Sequence, residues 1–280
     1  MVSASVRLQP TAIRWHYDLG SLFYRILWGE HIHHGVWDRD RSVPDAQRAL
    51  IDRLVTEARL APGARVLDVG CGLGGTALYL AARYGCDVTG ITISPVQRHW
   101  AAATARIRGL GRRTRFLAVN AERVSFPDER FDLVLSIECT EHFFDKQRFF
   151  RRCAGWLRPN GAVGICAWLA AEDAAQCDER RRLIEHVCDA FLCPSLGSAS
   201  DYRCWLSAAG LRVESVTLLG PHVARTWEVC MQRTQNRPLR WLARLAGKDF
   251  AAFLDGFGAI LHAFRSGAMD YGIFVARRIG

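Results

Sequence analysis

The chain has 280 residues, half of them hydrophobic and 23% charged, the balance of one large globular domain or of a domain with an appendage; general disorder is excluded. No apolar run approaches the roughly 20 residues of a membrane-spanning helix, the best being Ala162 to Ala171 at about half that length. Thirty-seven basic against 28 acidic side chains leave a net charge of +9, which suits an acidic substrate, a nucleic acid or an anionic surface, and which an arginine- and alanine-rich sequence bias would produce as readily.

The N-terminus, MVSASVRLQP, lacks the apolar core of a secretory signal peptide, so the expected compartment is the cytoplasm. The ten cysteines are scattered with no C-x-x-C pair, which reads as reduced, mostly buried thiols rather than a metal or iron–sulfur site. Residues 1–62 combine aromatics and histidines with a helical repeat at Ala46, Ala49, Leu50, Leu54 and Ala58, and are expected to form an N-terminal helical flap. Pro62-Gly63 breaks the chain ahead of a main domain over 63–280. Arg65 to Val69, Asp87 to Ile91, Phe131 to Ser136 and Ala162 to Trp168 read as strands. Gly75 to Arg83, Pro95 to Arg108 and Lys146 to Leu157 read as helices. Residues 171–209 look like a helical insertion or lid, and strands return at Leu211 to Leu219 and Tyr271 to Arg277. This alternation implies an α/β fold with a parallel sheet and helices on both faces, with residues 171–209 and 222–268 as a helical cap. Arg233, Arg237, Arg240, Arg244 and Lys248 fall on one basic helix face. Pro238 interrupts it, and a solvated face is favoured over a membrane-surface helix.

The sharpest local signal is Val66-Leu67-Asp68-Val69-Gly70-Cys71-Gly72-Leu73-Gly74-Gly75. A buried strand enters a glycine turn that lets backbone approach a ligand, and a helix follows with its free N–H groups pointing back. Gly70, Gly72 and Gly75 satisfy the dinucleotide pattern G-x-G-x-x-G. Two features oppose a pyrophosphate there. The carboxylate of Asp68 suits a cationic head group, and the second strand ends Val88-Thr89-Gly90-Ile91-Thr92 without the acid a ribose would need.

With these residues in place, the chain resembles the class I S-adenosylmethionine (AdoMet) methyltransferases. More narrowly, it is similar to the group of γ-tocopherol methyltransferases, coclaurine-type N-methyltransferases and cyclopropane fatty acid synthases. The likeness rests on His16-Tyr17-Asp18, Trp28-Gly29-Glu30-His31-Ile32-His33-His34-Gly35, Gly90-Ile91-Thr92-Ile93-Ser94-Pro95-Val96-Gln97, Ser136-Ile137-Glu138-Cys139-Thr140-Glu141-His142 and Leu157-Arg158-Pro159-Asn160-Gly161, in that order. It covers most of the chain and implies a Rossmann-like sheet, AdoMet as cofactor and methyl transfer to a small, largely apolar molecule. It also implies a cofactor site at Tyr17, Asp68, Gly70, Cys71, Gly72, Gly74, Thr92, Ile93, Gln97 and Ser136. Asn120, Ala121 and Glu122 would lie at adenine, with the Asn120 carbonyl standing where the family usually has an aspartate. Phe23, Tyr24, Trp28, His31, Trp168, Tyr202 and Trp227 are the expected substrate contacts. A metal at His31, His33 and His34 with His16 or Glu30 is weighed and set aside for packing over the cofactor pocket.

The proton-handling candidates are Glu138, Glu141 and His142, directly after a strand at the carboxyl edge of the sheet. In a helical turn their spacing would put them on one face. The coclaurine-type pattern E-x-x-E-H implies a Glu and His around the nucleophile, while Glu141 serves equally well as a helix cap. Oxygen, nitrogen and carbon stay open as acceptors. Methylene transfer of the cyclopropane type is the alternative within the group. A nicotinamide dehydrogenase rests only on the glycine pattern, and a nucleic-acid methyltransferase only on charge. Ser136-Ile137-Glu138-Cys139 stands where amino-methylating enzymes of bases carry (N/D)-P-P-(Y/F/W), and neither nucleic acid nor stable membrane insertion is expected.

Overall fold

The computed structural model describes residues 1–234 and 248–279. In chain order the elements are β1 (Val2–Ser3), α1 (Pro10–Leu27), α2 (Val43–Glu57), β2 (Arg65–Val69), α3 (Gly75–Tyr84), β3 (Asp87–Thr92), α4 (Pro95–Ile107), β4 (Thr114–Ala118), β5 (Phe131–Ile137), α5 (Lys146–Trp156), β6 (Leu157–Ala170), α6 (Asp178–Ala190), β7 (Ser195–Leu196), α7 (Ala199–Ala208), β8 (Leu211–Leu218), α8 (Gly220–Val223), α9 (Arg225–Thr234), α10 (Lys248–Arg265) and β9 (Met269–Arg278).

Local chemistry sets the helix starts. Ser42 caps α2 by accepting from Asp45 N, Ser94 caps α4 by accepting from Gln97 N, and each of these helices has proline in its first turn. Asp145 does the same for α5, and Ser198 with Asp201 closes a capping box on α7.

Seven of the described strands form one sheet in the order β4-β3-β2-β5-β6-β9-β8. β4, β3, β2, β5 and β6 run parallel, and β9 is antiparallel to both of its neighbours. Successive residues of the central strands bury on opposite faces. Leu67, Val69, Val134 and Val163 join one core cluster, and Val66, Leu133, Leu135 and Ala162 join the other. Both faces are covered, so these strands read as near-continuous apolar runs. The chain leaves β2 towards β3 and β4 and then returns to β5 on β2's other side. The switch point, where open sheets hold ligands, therefore lies at the carboxyl ends of β2 and β5.

The structure departs from the sequence reading in two places. Strand β4 had no predicted counterpart, because Thr114-Arg115-Phe116-Leu117-Ala118 is short and polar at its start. The predicted lid over 171–209 divides: α6 packs on α10 and β1, but α7 packs on α5, β8 and β9 as part of the layer covering the sheet. Of the basic face, residues 237, 240 and 244 lie outside the described residues. Arg233, in the last turn of α9, donates to the Leu27 carbonyl at the end of α1.

Candidate active site

Two clefts open side by side above the switch point. The first holds about 760 Å³ of space with its mouth included. Its floor comes from the turns after β2, β3, β4 and β5, including Gly70, Gly72, Thr92, Ile93, Gln97, Asn120, Ala121, Glu122 and Cys139. Pro10, Ile13 and Tyr17 of α1, with Ile32, close it from above. The second cleft, about 430 Å³, is walled by Tyr24, Trp28, Trp168, Phe191, Trp227 and Phe253 around Glu138, Glu141 and His142. Tyr17, Ile32, Glu138 and His142 border both clefts and so mark their junction.

The glycine turn is built by contact as much as by flexibility. Gly70 (φ +79°) lies so close to the turn after β5 that a Cβ there would overlap Cys139 Cβ and Sγ. Gly72 (φ +52°) faces free space, where a Cβ would meet only Ile32 Cδ1 at 3.7 Å. Thr92 Oγ1 donates to Gln97 Oε1 at 2.7 Å, which leaves Gln97 Nε2 buried, at the cleft and without a partner. An unpaired buried donor beside an open cradle fits a polar ligand such as AdoMet, because an unmet hydrogen bond there costs free energy until a ligand supplies it. Asp18, which the sequence reading left without a role, reaches from α1 to accept from Ser94 Oγ at 2.5 Å and fastens the flap beside Thr92.

Several expected contacts take other positions. Asp68 is buried under the glycine turn, and burial pushes its carboxyl up to about 7. Cys71 packs beneath the same turn against Gly90, and Gly74 packs on Ala101 as the start of α3. None of the three lines the first cleft, but Asp68 and Cys71 line a small adjoining cavity that shares Gly70, Gly72 and Ile32 with it. Ser136 is buried within β5. Asn120 does line the first cleft, and its Oδ1 accepts from Glu122 N at 2.8 Å, which orients the side chain and leaves one lone pair for adenine. Glu122 Oε1 accepts from Phe144 N and Asp145 N, tying the turn after β4 to the start of α5.

Among the expected substrate contacts, Tyr24, Trp28, Trp168 and Trp227 line the second cleft. Phe23 faces the core packing. His31 lies below Ile32 against His33 and Tyr79. Tyr202 is buried in the opposite core, stacked on Phe274, with its hydroxyl 2.7 Å from Thr140 Oγ1. That position follows from α7 lying on the sheet and not over the cleft. Among the described residues, no group of three or more His, Cys, Asp or Glu side chains is placed to hold a metal ion.

Glu138, Glu141 and His142 converge on the second cleft by different means from a shared helix face. Only residues Thr140–His142 form a 3-10 turn, and Glu138 precedes it in the left-handed region at φ +53°. That strained backbone turns its carboxylate into a ring of donors. Oε1 accepts from His34 N at 2.7 Å and Tyr271 Oη at 2.8 Å. Oε2 accepts from Trp168 Nε1 at 3.1 Å and lies 2.9 Å from His34 Nδ1. Burial disfavours this charge, but His34 and His33 outweigh it and hold the carboxyl below its ordinary range.

Glu141 is the contrasting case. Its Oε1 accepts from Trp168 N at 2.6 Å, and burial pushes its carboxyl up to about 8. His142 presents Nδ1 to the Leu192 carbonyl at 3.0 Å and Nε2 to Tyr17 Oη at 2.7 Å. Leu192 itself holds φ +54°. Burial lowers this histidine to about 4. Tyr271, Phe191 and Phe253 escaped the sequence reading, because each reaches the site from a distant segment with no local motif to mark it. His34 and Asp18 stand in motifs read from sequence, but their partners here lie on distant segments.

Three comparisons bear on this geometry. The family model described as mycolic acid cyclopropane synthetase matches residues 5–271. The probable chloroplastic tocopherol O-methyltransferase of Oryza sativa subsp. japonica is 37% identical over 201 residues, 66% of this chain and 55% of that protein. The norajmaline N-methyltransferase of Rauvolfia serpentina is 30% identical, over 66% of this chain and 68% of that protein. The chain thus spans about half the length of the rice protein. The crystal structure of the mycolic acid cyclopropane synthase CmaA1 complexed with SAH and CTAB superposes with a TM-score of 0.87 at 23% identity, covering 98% of this chain and 99% of that one.

Proposed function

The chain belongs to the mycolic acid cyclopropane synthetase family, and we propose that it is an AdoMet-dependent methyltransferase that methylates a hydroxyl oxygen of a small, largely apolar substrate. The observation that carries this reading is the junction of the two clefts, where a neutral histidine and a tyrosine hydroxyl face both chambers. The O-methyltransferase among its relatives supports it.

When bound, AdoMet supplies an electrophilic methyl group on a sulfonium. The protein's own task is to hold the acceptor in line and remove its proton. The first cleft would hold the cofactor through the backbone at Gly70 and Gly72, the Thr92–Gln97 pair and the turn at Asn120-Ala121. The second cleft would hold the acceptor between rings, which suits an apolar body and stabilises positive charge nearby. As the acceptor oxygen gains a methyl it loses its proton to Tyr17 Oη, which passes its own to His142 Nε2. Glu138, saturated with donors and held ionised, anchors the junction and makes a poor base. His142 thus keeps the proton-handling role expected from sequence, while Glu138, expected there to accept a proton or hold a cation, leaves the first of those roles.

A second reading has its own support. The ring-lined pocket beside an ionised carboxylate also suits an amine, whose methylated product is a cation. A compact, ring-walled pocket favours either small acceptor over the long acyl chain of methylene transfer. The cytoplasm is the compartment proposed, since ten free thiols persist best in a reducing environment, and no described helix is long and apolar enough to cross a membrane. The test is transfer of radiolabelled methyl from AdoMet to matched panels of apolar phenols, alcohols, amines and alkenes. Label in an ether supports the proposal. Label in an amine selects the second reading, and label in a cyclopropane overturns both.

A further inference from the structure

Helix α1 is apolar on two sides. Its inner side supplies Ile13, Tyr17 and Tyr24 to the clefts and Leu27 to the core. Its outer side bares Trp15, Leu19, Leu22 and Ile26 at 63%, 67%, 58% and 48% exposure. Their spacing of four, three and four residues makes one continuous stripe. Asp18 and Ser94 tie α1 to the neighbouring α4, which adds exposed Val96 and Trp100. Single exposed apolar residues are ordinary, whereas a stripe with tryptophans marks an interaction surface.

We propose that this outer face of α1 docks the protein reversibly on an anionic lipid surface. Charge selects the occupant. Residues 7–27 carry Arg7, Arg14 and Arg25 against one acid, Asp18, which is already bonded to Arg14 and Ser94. Residues 95–108 carry Arg98, Arg106 and Arg108 with no acid of their own, Arg108 being paired with Glu30. An apolar stripe with tryptophan, flanked by arginines, is the composition of a helix lying in the membrane interface, where rings and aliphatic side chains enter and guanidinium groups meet phosphate. A second copy of this chain fits poorly, because a two-fold contact would bring the same arginines together. The docking rests on this surface alone and holds whichever acceptor is methylated. It also sets the helix that roofs both clefts against the phase in which an apolar acceptor would concentrate.

The experiment is co-sedimentation of the full chain with vesicles of phosphatidylglycerol and phosphatidylcholine, and with phosphatidylcholine alone. Binding to the anionic vesicles is expected at low salt, at least tenfold weaker on neutral vesicles and in 0.5 M salt. Leu19→Glu/Leu22→Glu is expected to lose binding at least tenfold while its thermal shift with AdoMet stays unchanged. Arg14→Glu/Arg98→Glu should weaken it too, which guards against misfolding of the first pair. The proposal is overturned if the native chain stays in the supernatant or if both variants bind as well as it does. It is equally overturned if the substitutions only dissolve a dimer, or if the face binds an acidic protein and no vesicle.

Discussion

Tyr17 Oη lies 2.7 Å from His142 Nε2, joining the first helix to the turn after β5 across 125 residues of chain. On the far side of the ring, Nδ1 faces the Leu192 carbonyl, which can only accept, so Nδ1 carries the proton. Nε2 is then the lone-pair nitrogen, and the tyrosine hydroxyl donates to it. A ring held neutral in this tautomer is a base ready to receive.

The first prediction concerns that neutrality. Burial lowers His142 from 6.5 to about 4. Nitrogen-15 NMR should therefore find a histidine with unprotonated Nε2 at neutral pH and a midpoint near 4. The acid limb of turnover should fall there and not near 6.5. A midpoint above 6 would remove the basis for this assignment.

Stability should follow two opposed slopes. The depressed His142 takes up its proton more readily when unfolded, so its contribution is full above about 6.5 and erodes as pH falls towards about 4. Burial raises Glu141 from 4.5 to about 8, so its contribution is full below 4.5 and is lost as pH rises through 8. Denaturant unfolding of Glu141→Gln should show a shallower loss between pH 6.5 and 8 than the native chain. Equal slopes would contradict the buried, protonated state.

The glycines of the turn should separate. Gly72→Ala should weaken AdoMet binding at least tenfold in calorimetry, with a small fall in Tm from the cost of φ +52°. Gly70→Ala should instead destabilise the fold, since its Cβ would collide with Cys139. Equal effects on binding and stability in both variants would refute this division.

Glu138→Gln should act on architecture first. Its amide would set an N–H among groups that already donate, costing about 2 kcal/mol of stability and raising the acceptor KM more than it lowers kcat. A hundredfold loss of kcat with normal Tm would return Glu138 to the role of base.

What could be read from sequence divides by distance along the chain. The glycine turn is local and its spacing exposed it, while Thr92 with Gln97 and the cluster of Glu138, Glu141 and His142 sit in short motifs that their resemblance to the methyltransferases exposed. Tyr17 with His142, Asp18 with Ser94, and Glu138 with His34 and Tyr271 pair across 76 to 133 residues, and no periodicity encodes such partners. Tyr202 was misread for the same reason. An aromatic residue on an amphipathic helix looks the same whether the helix covers a cleft or a sheet.

The most direct test of the proton path is a double-mutant cycle on turnover with Tyr17→Phe, His142→Ala and the pair, with AdoMet affinity measured in each. If the two side chains form one relay, each single change lowers kcat by about a hundredfold, and the pair is little worse than either alone. AdoMet binding then persists at near-native affinity in all three. Multiplicative losses, or near-native turnover in either single variant, would contradict the account and place the base elsewhere.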